Sequence, residues 1–285
     1  MNLLWLGGPL LYASYYPRPP LSEFIDFFWQ IEGGQTLRKE SILPSGTIEM
    51  VINLLDDEVR IYHPAEPNEC HKFSGAIISG TYSRIFICDA LQHQAIFGVH
   101  FKPGGAFPFL GALASDLTGA HANLVDLWGA SALELQERLC DSKSPRERFR
   151  IMEDVLKNRL CFSPRPHSKI QIALDMFGLS GNGASVRSVA RELDLSQRQF
   201  IQIFNDQVGL TPKLFCRLLR FQNARVLAER LDRCSWAQIA STCGYFDQAH
   251  LISDFQEFSG LSPTNYIRQH GHDGRLKDSH VPFPG

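Results

Sequence analysis

Two rows of hydrogen-bonding side chains have the types and spacing to contact base edges. Gln197, Arg198, Gln199 and Gln202 lie on the outer side of one stretch of helical period, and Gln248, His250 and Ser253 on the outer side of another. Gln pairs bidentately with adenine and Arg with guanine, and a helix carrying them fits a major groove about 12 Å wide. Each row follows a short helical segment containing a small Ala and a tight turn. In the first unit Val189, Ala190 and Leu193 point inward, Asp194-Leu195 is the turn, and Ser196 caps a second helix with Phe200, Ile203 and Phe204 inward. In the second, Ser235 caps a segment with Trp236, Ile239 and Ala240 inward. Gly244 supplies a positive φ, and Asp247 caps a helix carrying Leu251, Ile252 and Phe255. A small Ala, a tight turn and a polar second helix make a helix-turn-helix.

The two units are copies. Phe204, Gly209, Leu210, Pro212 and Phe215 recur 51 positions later as Phe255, Gly260, Leu261, Pro263 and Tyr266, and Phe200 recurs as Leu251. Val189-Ala190 matches Ile239-Ala240 at an offset of 50. Thr211-Pro212 opens a long helix, Lys213 to about Arg230, that joins them. Its expected seam is Phe215, Leu218, Leu219, Gln222, Val226 and Leu227, with Arg217, Arg220 and Arg225 outside, within reach of phosphate.

No catalytic constellation assembles from the rest. The sequence holds no GxSxG elbow and no paired-carboxylate or Ser/His/Asp spacing. His63, His71, His93 and His100 show no HxH spacing for a metal, and Lys102-Pro103-Gly104-Gly105 lacks the order of a phosphate loop. Neither enzyme activity, a metal nor a cofactor is expected. The seven cysteines include no CxxC pair, which points to reduced thiols and a cytoplasmic protein. Residues 1–11 lack a basic n-region, and no apolar run is long enough for a membrane span.

The elements that must position these rows divide 285 residues into about two domains. Alternation at Ile48, Met50, Ile52 and Leu54, an aromatic run at Phe24–Ile31, and further strands at Ala76–Tyr82 and Gln94–Lys102 predict a β-rich half. Asp56-Asp57 reads as a hairpin turn into Val59–Tyr62. Two antiparallel helices are expected over 122–160, the second opened by Ser144-Pro145 with Glu147 at the third position. Ser163–Pro166 reads as the linker. Residues 1–165 carry 15 basic and 19 acidic side chains, a net of −4, whereas 166–270 carry 11 and 9, a net of +2. The helical segment is thus the better partner for a polyanion.

Residues 168–270 resemble the DNA-binding domain of AraC/XylS-type transcription regulators. The likeness rests on Val189-Ala190 through Phe204, Gly209–Pro212, Ile239-Ala240 and Gly244-Tyr245-Phe246-Asp247-Gln248-Ala249-His250-Leu251, followed by Phe255, Gly260, Ser262-Pro263 and Tyr266. It implies a seven-helix domain that binds double-stranded DNA. It carries base-reading positions onto Arg198, Ile201 and Gln202, then Gln248, Ala249, His250 and Ser253. The pattern departs at Gln202 and Ser253, where Arg is common in the family.

The β-rich half is similar to the cupin-like barrels of one branch of these regulators, through Ile42–Gly46, Glu49–Leu54 and Gly98–Ala106. That likeness implies a small-molecule effector. Met50, Ile52, Phe73, Phe97 and Phe101 are its expected pocket. The fold expected is α+β: an N-terminal barrel over 1–120, a helical connector over 121–162, an all-α DNA-binding domain over 163–270 with two helix-turn-helix units, and a disordered tail over 271–285. RNA polymerase and a second copy, paired through 121–162, are further expected partners. The alternative is a regulator-like protein whose barrel is the functional part, by ligand binding or catalysis, with DNA binding weak or lost.

Overall fold

The computed structural model describes residues 2–5, 11–33, 39–89, 95–161, 167–179, 184–230, 235–270 and 280–282. For residues 2–5, 179, 270 and 280–282 it describes the backbone alone. The linker at 163–166, His93 and all of the tail except 280–282 lie outside the described residues.

Alternation sets the architecture of the N-terminal half. The strands are β1 (Asn2–Trp5), β2 (Leu11–Tyr15), β3 (Ile25–Glu32), β4 (Lys39–Ile42), β5 (Glu49–Asn53), β6 (Glu58–His63), β7 (Glu66–Ser74), β8 (Ala76–Ser79), β9 (Phe86–Asp89), β10 (Ala95–Phe101), β11 (His121–Asn123) and β12 (His280–Pro282). They form a seven-stranded sheet, β1-β2-β3-β10-β5-β8-β11, and a five-stranded sheet, β12-β4-β9-β6-β7, with antiparallel pairing throughout. Among the described residues no strand pair joins the two sheets, so the barrel is an open, two-sheet one.

Strands of the larger sheet are apolar on both faces, because both are covered. Met50, Ile52, Phe97, Val99 and Phe101 face the connector helices, while Val51, Ile77 and Ile96 face the smaller sheet. Helices α1 (Phe107–Leu110), α2 (Leu124–Trp128), α3 (Ala130–Asp141) and α4 (Pro145–Leu160) cover the first face. Leu124, Trp128, Leu135, Leu139, Phe149, Met152 and Leu156 share one core with that sheet. The connector therefore has three helices, Gly129 with φ 59 separating the first two. Ser144 caps α4 as expected, accepting from the Glu147 amide. Buried Arg148 donates to the carbonyls of Leu139 (2.9 Å) and Ser142 (2.7 Å) and pairs with Glu32 on β3, which pins α4 to the sheet.

Two local expectations change. Asp56-Asp57 is not a hairpin turn, since β5 pairs with β8 and β10 and β6 with β7 and β9. The Asn53 side chain bends the chain there, accepting from the amides of Leu55 (3.0 Å) and Asp56 (3.1 Å), and the chain crosses to the other sheet. In the tail, His280–Pro282 pairs with Glu40–Ile42 and covers β4, which would otherwise end the smaller sheet.

The C-terminal half is α5 (Ser168–Leu179), α6 (Val186–Glu192), α7 (Gln197–Val208), α8 (Pro212–Arg230), α9 (Trp236–Thr242), α10 (Gln248–Ser259) and α11 (Pro263–His270). Its core includes Phe177, Phe200, Phe204, Phe215, Phe221, Phe255, Phe258 and Tyr266. The long helix buries Phe215, Leu218, Phe221, Ala224, Arg225 and Ala228 most deeply. The expected seam is thus rotated so that Phe221, absent from it, is central. None of the described helices is long and apolar enough to cross a membrane.

Candidate nucleic-acid interface and the contacts behind it

In the first unit Val189 and Ala190 on α6 are buried against α7. The turn places Asp194 at φ 52, the position that Gly244 occupies at φ 75 in the second unit. A capping box starts α7: Ser196 Oγ accepts from the Gln199 amide (3.3 Å), and Gln199 Oε1 accepts from the Ser196 amide (3.2 Å). Phe200, Phe204 and Val208 face inward. Arg198, Gln199 and Gln202 are exposed and Ile201 is half-buried. Gln199 thus has its carbonyl oxygen committed to the cap, and Gln202 donates to Asp206 (2.8 Å) one turn on.

In the second unit Ile239 and Ala240 on α9 are buried. Ser235 holds the N-cap position, yet its hydroxyl accepts no capping bond. Asp247 does cap α10, accepting from the His250 amide at 2.8 Å. Gln248, Ala249 and Ser253 are exposed. The half-buried His250 ring stands edge-on to Tyr245, with centroids 5.2 Å apart. Burial raises the Tyr245 phenol well above its usual range, so it stays neutral beneath that ring.

The three arginines expected outside α8 brace the domain instead. Arg217 donates to Asp254 (2.7 Å) and pairs with Glu257, and these bonds, led by Glu257, raise its pKa further. Arg220 lies over the Tyr245 ring, 5.5 Å from its centroid. Arg225 is buried and pairs with Glu229 at 2.9 Å. Asp254 is 1% exposed, and a carboxylate so placed needs a cation beside it. By contrast Arg187, Arg191 and Arg198 of the first unit are exposed, with no ion pair among the described residues.

The expected effector residues separate. Met50, Ile52, Phe97 and Phe101 are fully buried against the connector, whereas Phe73 lies on the smaller sheet beside His121. Between the sheets is a cavity of about 40 Å³, lined by Trp29, Glu49, Ser79, Phe86, Cys88 and His121 among others. The His121 ring is packed by Phe73, Tyr82 and Phe86, and neither ring nitrogen has a hydrogen-bond partner among the described residues. Burial, with a smaller effect from His71, lowers its pKa to about 4. On the same side of the larger sheet His100 bonds Glu49 through Nδ1 at 2.7 Å. The described residues contain no group of three or more His, Cys, Asp or Glu able to hold a metal.

Sequence reasoning did not anticipate the contacts between the two halves. Thr81 and Thr118 both donate to the Gly209 carbonyl, at 2.8 and 2.6 Å. Gly209, at φ 83, ends α7. Ser115, in a 3-10 turn over Ala114–Leu117, bonds Asp206 at 3.4 Å. Leu43 joins the helical core, and Ile85 packs against it beside Gly260, the residue at φ 73 that ends α10. The segment from Thr81 to Ile85 thus reaches the ends of both outward-facing helices. No periodicity or motif signals contacts across such sequence distances.

Comparison with known proteins finds two matching families. Residues 189–269 match a family described as a helix-turn-helix domain, and residues 13–123 one described as a domain of unknown function, DUF6597. The chain is 34% identical over 83 residues to a probable transcriptional regulator, LumQ, of Photobacterium leiognathi, covering 29% of this chain and 33% of that one. It is 24% identical over 119 residues to an uncharacterized HTH-type transcriptional regulator of Haemophilus influenzae, covering 42% and 40%. The matches therefore span a third to two fifths of those relatives. Among solved structures it is similar to ToxT of Vibrio cholerae, at 9% identity and a TM-score of 0.43, covering 94% of this chain and 99% of that one. Residues 189–269 thus match a helix-turn-helix domain family, carried behind a β-rich domain whose family has no assigned function.

Proposed function

We propose that the protein is a sequence-specific, double-stranded-DNA-binding transcription regulator of the AraC type, with α7 and α10 in successive major-groove segments. The observation that carries this reading is the duplicated unit on one helix, α8, with the polar rows exposed apart from the half-buried His250. A rigid 19-residue helix spans roughly 28 Å, comparable with one duplex turn. The base-reading residues are Arg198, Gln199, Ile201 and Gln202, then Gln248, Ala249, His250 and Ser253. Selection from a random duplex library by the full-length protein tests it. A long asymmetric motif in two blocks is expected. Arg198→Ala relaxes preference at one end and His250→Ala at the other. Binding without any sequence preference would overturn the reading.

Control by a small molecule fits the contacts behind the interface. The cavity beside His121 adjoins Tyr82 and Phe86, which flank the segment touching both helix ends. A mostly apolar, neutral molecule with one hydrogen-bonding group suits an unpartnered, uncharged imidazole there. Seating one enlarges the cavity and shifts Tyr82 and Phe86, changing how the β domain holds α7 and α10. DNA affinity that stays constant after Thr81→Val and Thr118→Val would reject this route. The main apolar face of residues 124–160 packs on the sheet while Leu133 on α3 is exposed, so a homodimer through this segment would use its outer side. RNA polymerase is the partner through which such a regulator would act.

A further inference from the structure

The two units differ in charge. Residues 185–211 hold three arginines, Arg187, Arg191 and Arg198, against Glu192, Asp194 and Asp206. Residues 235–262 hold no Lys or Arg, but Asp247, Asp254 and Glu257. Arg217 is drawn onto two of those three acids, and Arg220 onto Tyr245. The second unit therefore has little with which to grip phosphate. What it does present is Phe246, 93% exposed in the turn immediately before Asp247 and the start of α10. The N-terminal residues of a groove-reading helix are those that meet base edges. Exposed Ala249 follows three positions later.

We infer that Phe246, with Ala249, reads thymine methyl groups, so that the second unit binds its half-site by apolar contact while the first supplies the phosphate grip. This rests on the DNA-binding reading above. The C5-methyl is the one apolar feature of the major-groove edge, and Phe and Ala both suit it. Such contacts release no counterions, so they leave the salt dependence of binding unchanged. Arg187 and Arg191, as phosphate contacts, each contribute about −0.9 to the slope of log K against log salt.

The test uses the full chain and the duplex it selects from a random library, then the same duplex with deoxyuridine replacing thymidine in the half-site read by α10. Wild type should lose about fourfold in affinity per methyl removed. Phe246→Ala should bind the thymidine duplex several-fold more weakly, with an unchanged salt slope and a smaller deoxyuridine penalty, that of the methyl left to Ala249. Arg187→Gln and Arg191→Gln should each flatten the slope and keep the deoxyuridine penalty. Equal deoxyuridine penalties in wild type and Phe246→Ala would overturn the inference, as would a half-site without thymine. Both outcomes leave DNA binding intact. A wild-type protein that selects no motif would overturn the DNA-binding reading itself. Because Phe246 is almost fully exposed, its removal does not threaten the fold.

Discussion

The hydroxyl of Thr81 donates to the carbonyl of Gly209 at 2.8 Å, across 128 positions of sequence, and Thr118 donates to the same oxygen. The β domain thereby satisfies one of the carbonyls that the C-terminus of α7 leaves without an intrahelical partner. Replacing both threonines by Val leaves that carbonyl facing apolar groups. A loss of about 1–3 kcal/mol is expected, read as a lower Tm, with faster amide exchange at the end of α7.

The two helix-ending glycines should respond unequally to Ala. A Cβ at Gly209 would sit 2.5 Å from Thr81 Oγ1 and 3.0 Å from the Ala114 carbonyl, at φ 83. At Gly260 the nearest atom is Ile85 Cδ1 at 3.6 Å, so mainly the strain of φ 73 remains. Gly260→Ala should cost about 1–2 kcal/mol and Gly209→Ala about 1–3 kcal/mol more. Paired thermal melts check the difference.

Arg217 should behave as a structural cation. Removing it strands Asp254, 1% exposed, without its main partner. Arg217→Ala is expected to destabilise the domain by about 3–5 kcal/mol. Asp254→Asn in that background should recover part of the loss by removing the stranded charge. Recovery measured by chemical denaturation separates this brace from a phosphate contact, which Asp254→Asn would not restore.

His121 gives the stability a pH dependence of definite sign. Its pKa falls from 6.5 to about 4 on folding, so the unfolded chain takes up a proton first as pH drops. Its contribution is complete above pH 6.5 and is lost as pH falls toward about 4, by at most about 3 kcal/mol. His121→Leu keeps a similar volume without a titrating group, and should flatten the stability profile between those values. An unchanged profile would show that other groups set the acid limb.

Residue types and periods alone determined the helix-turn-helix pair, the capping roles of Ser144, Ser196 and Asp247, and the Gly244 turn. These are local: a cap acts within three residues and an amphipathic face within four, so the signal lies in neighbouring positions. The β strands near Met50 and Phe97 were legible from their composition, but not which face each strand gives to which layer. A sheet covered on both sides is apolar on both, so alternation no longer marks a single inside. Tertiary structure alone decided that Asp56-Asp57 crosses between sheets and that Arg217, Arg220 and Arg225 turn inward. It also joined His121 to Tyr82 and Phe86, and set Thr81 and Thr118 on Gly209. Those contacts depend on which distant surfaces meet once the cores are buried, and no spacing along the chain encodes that distance.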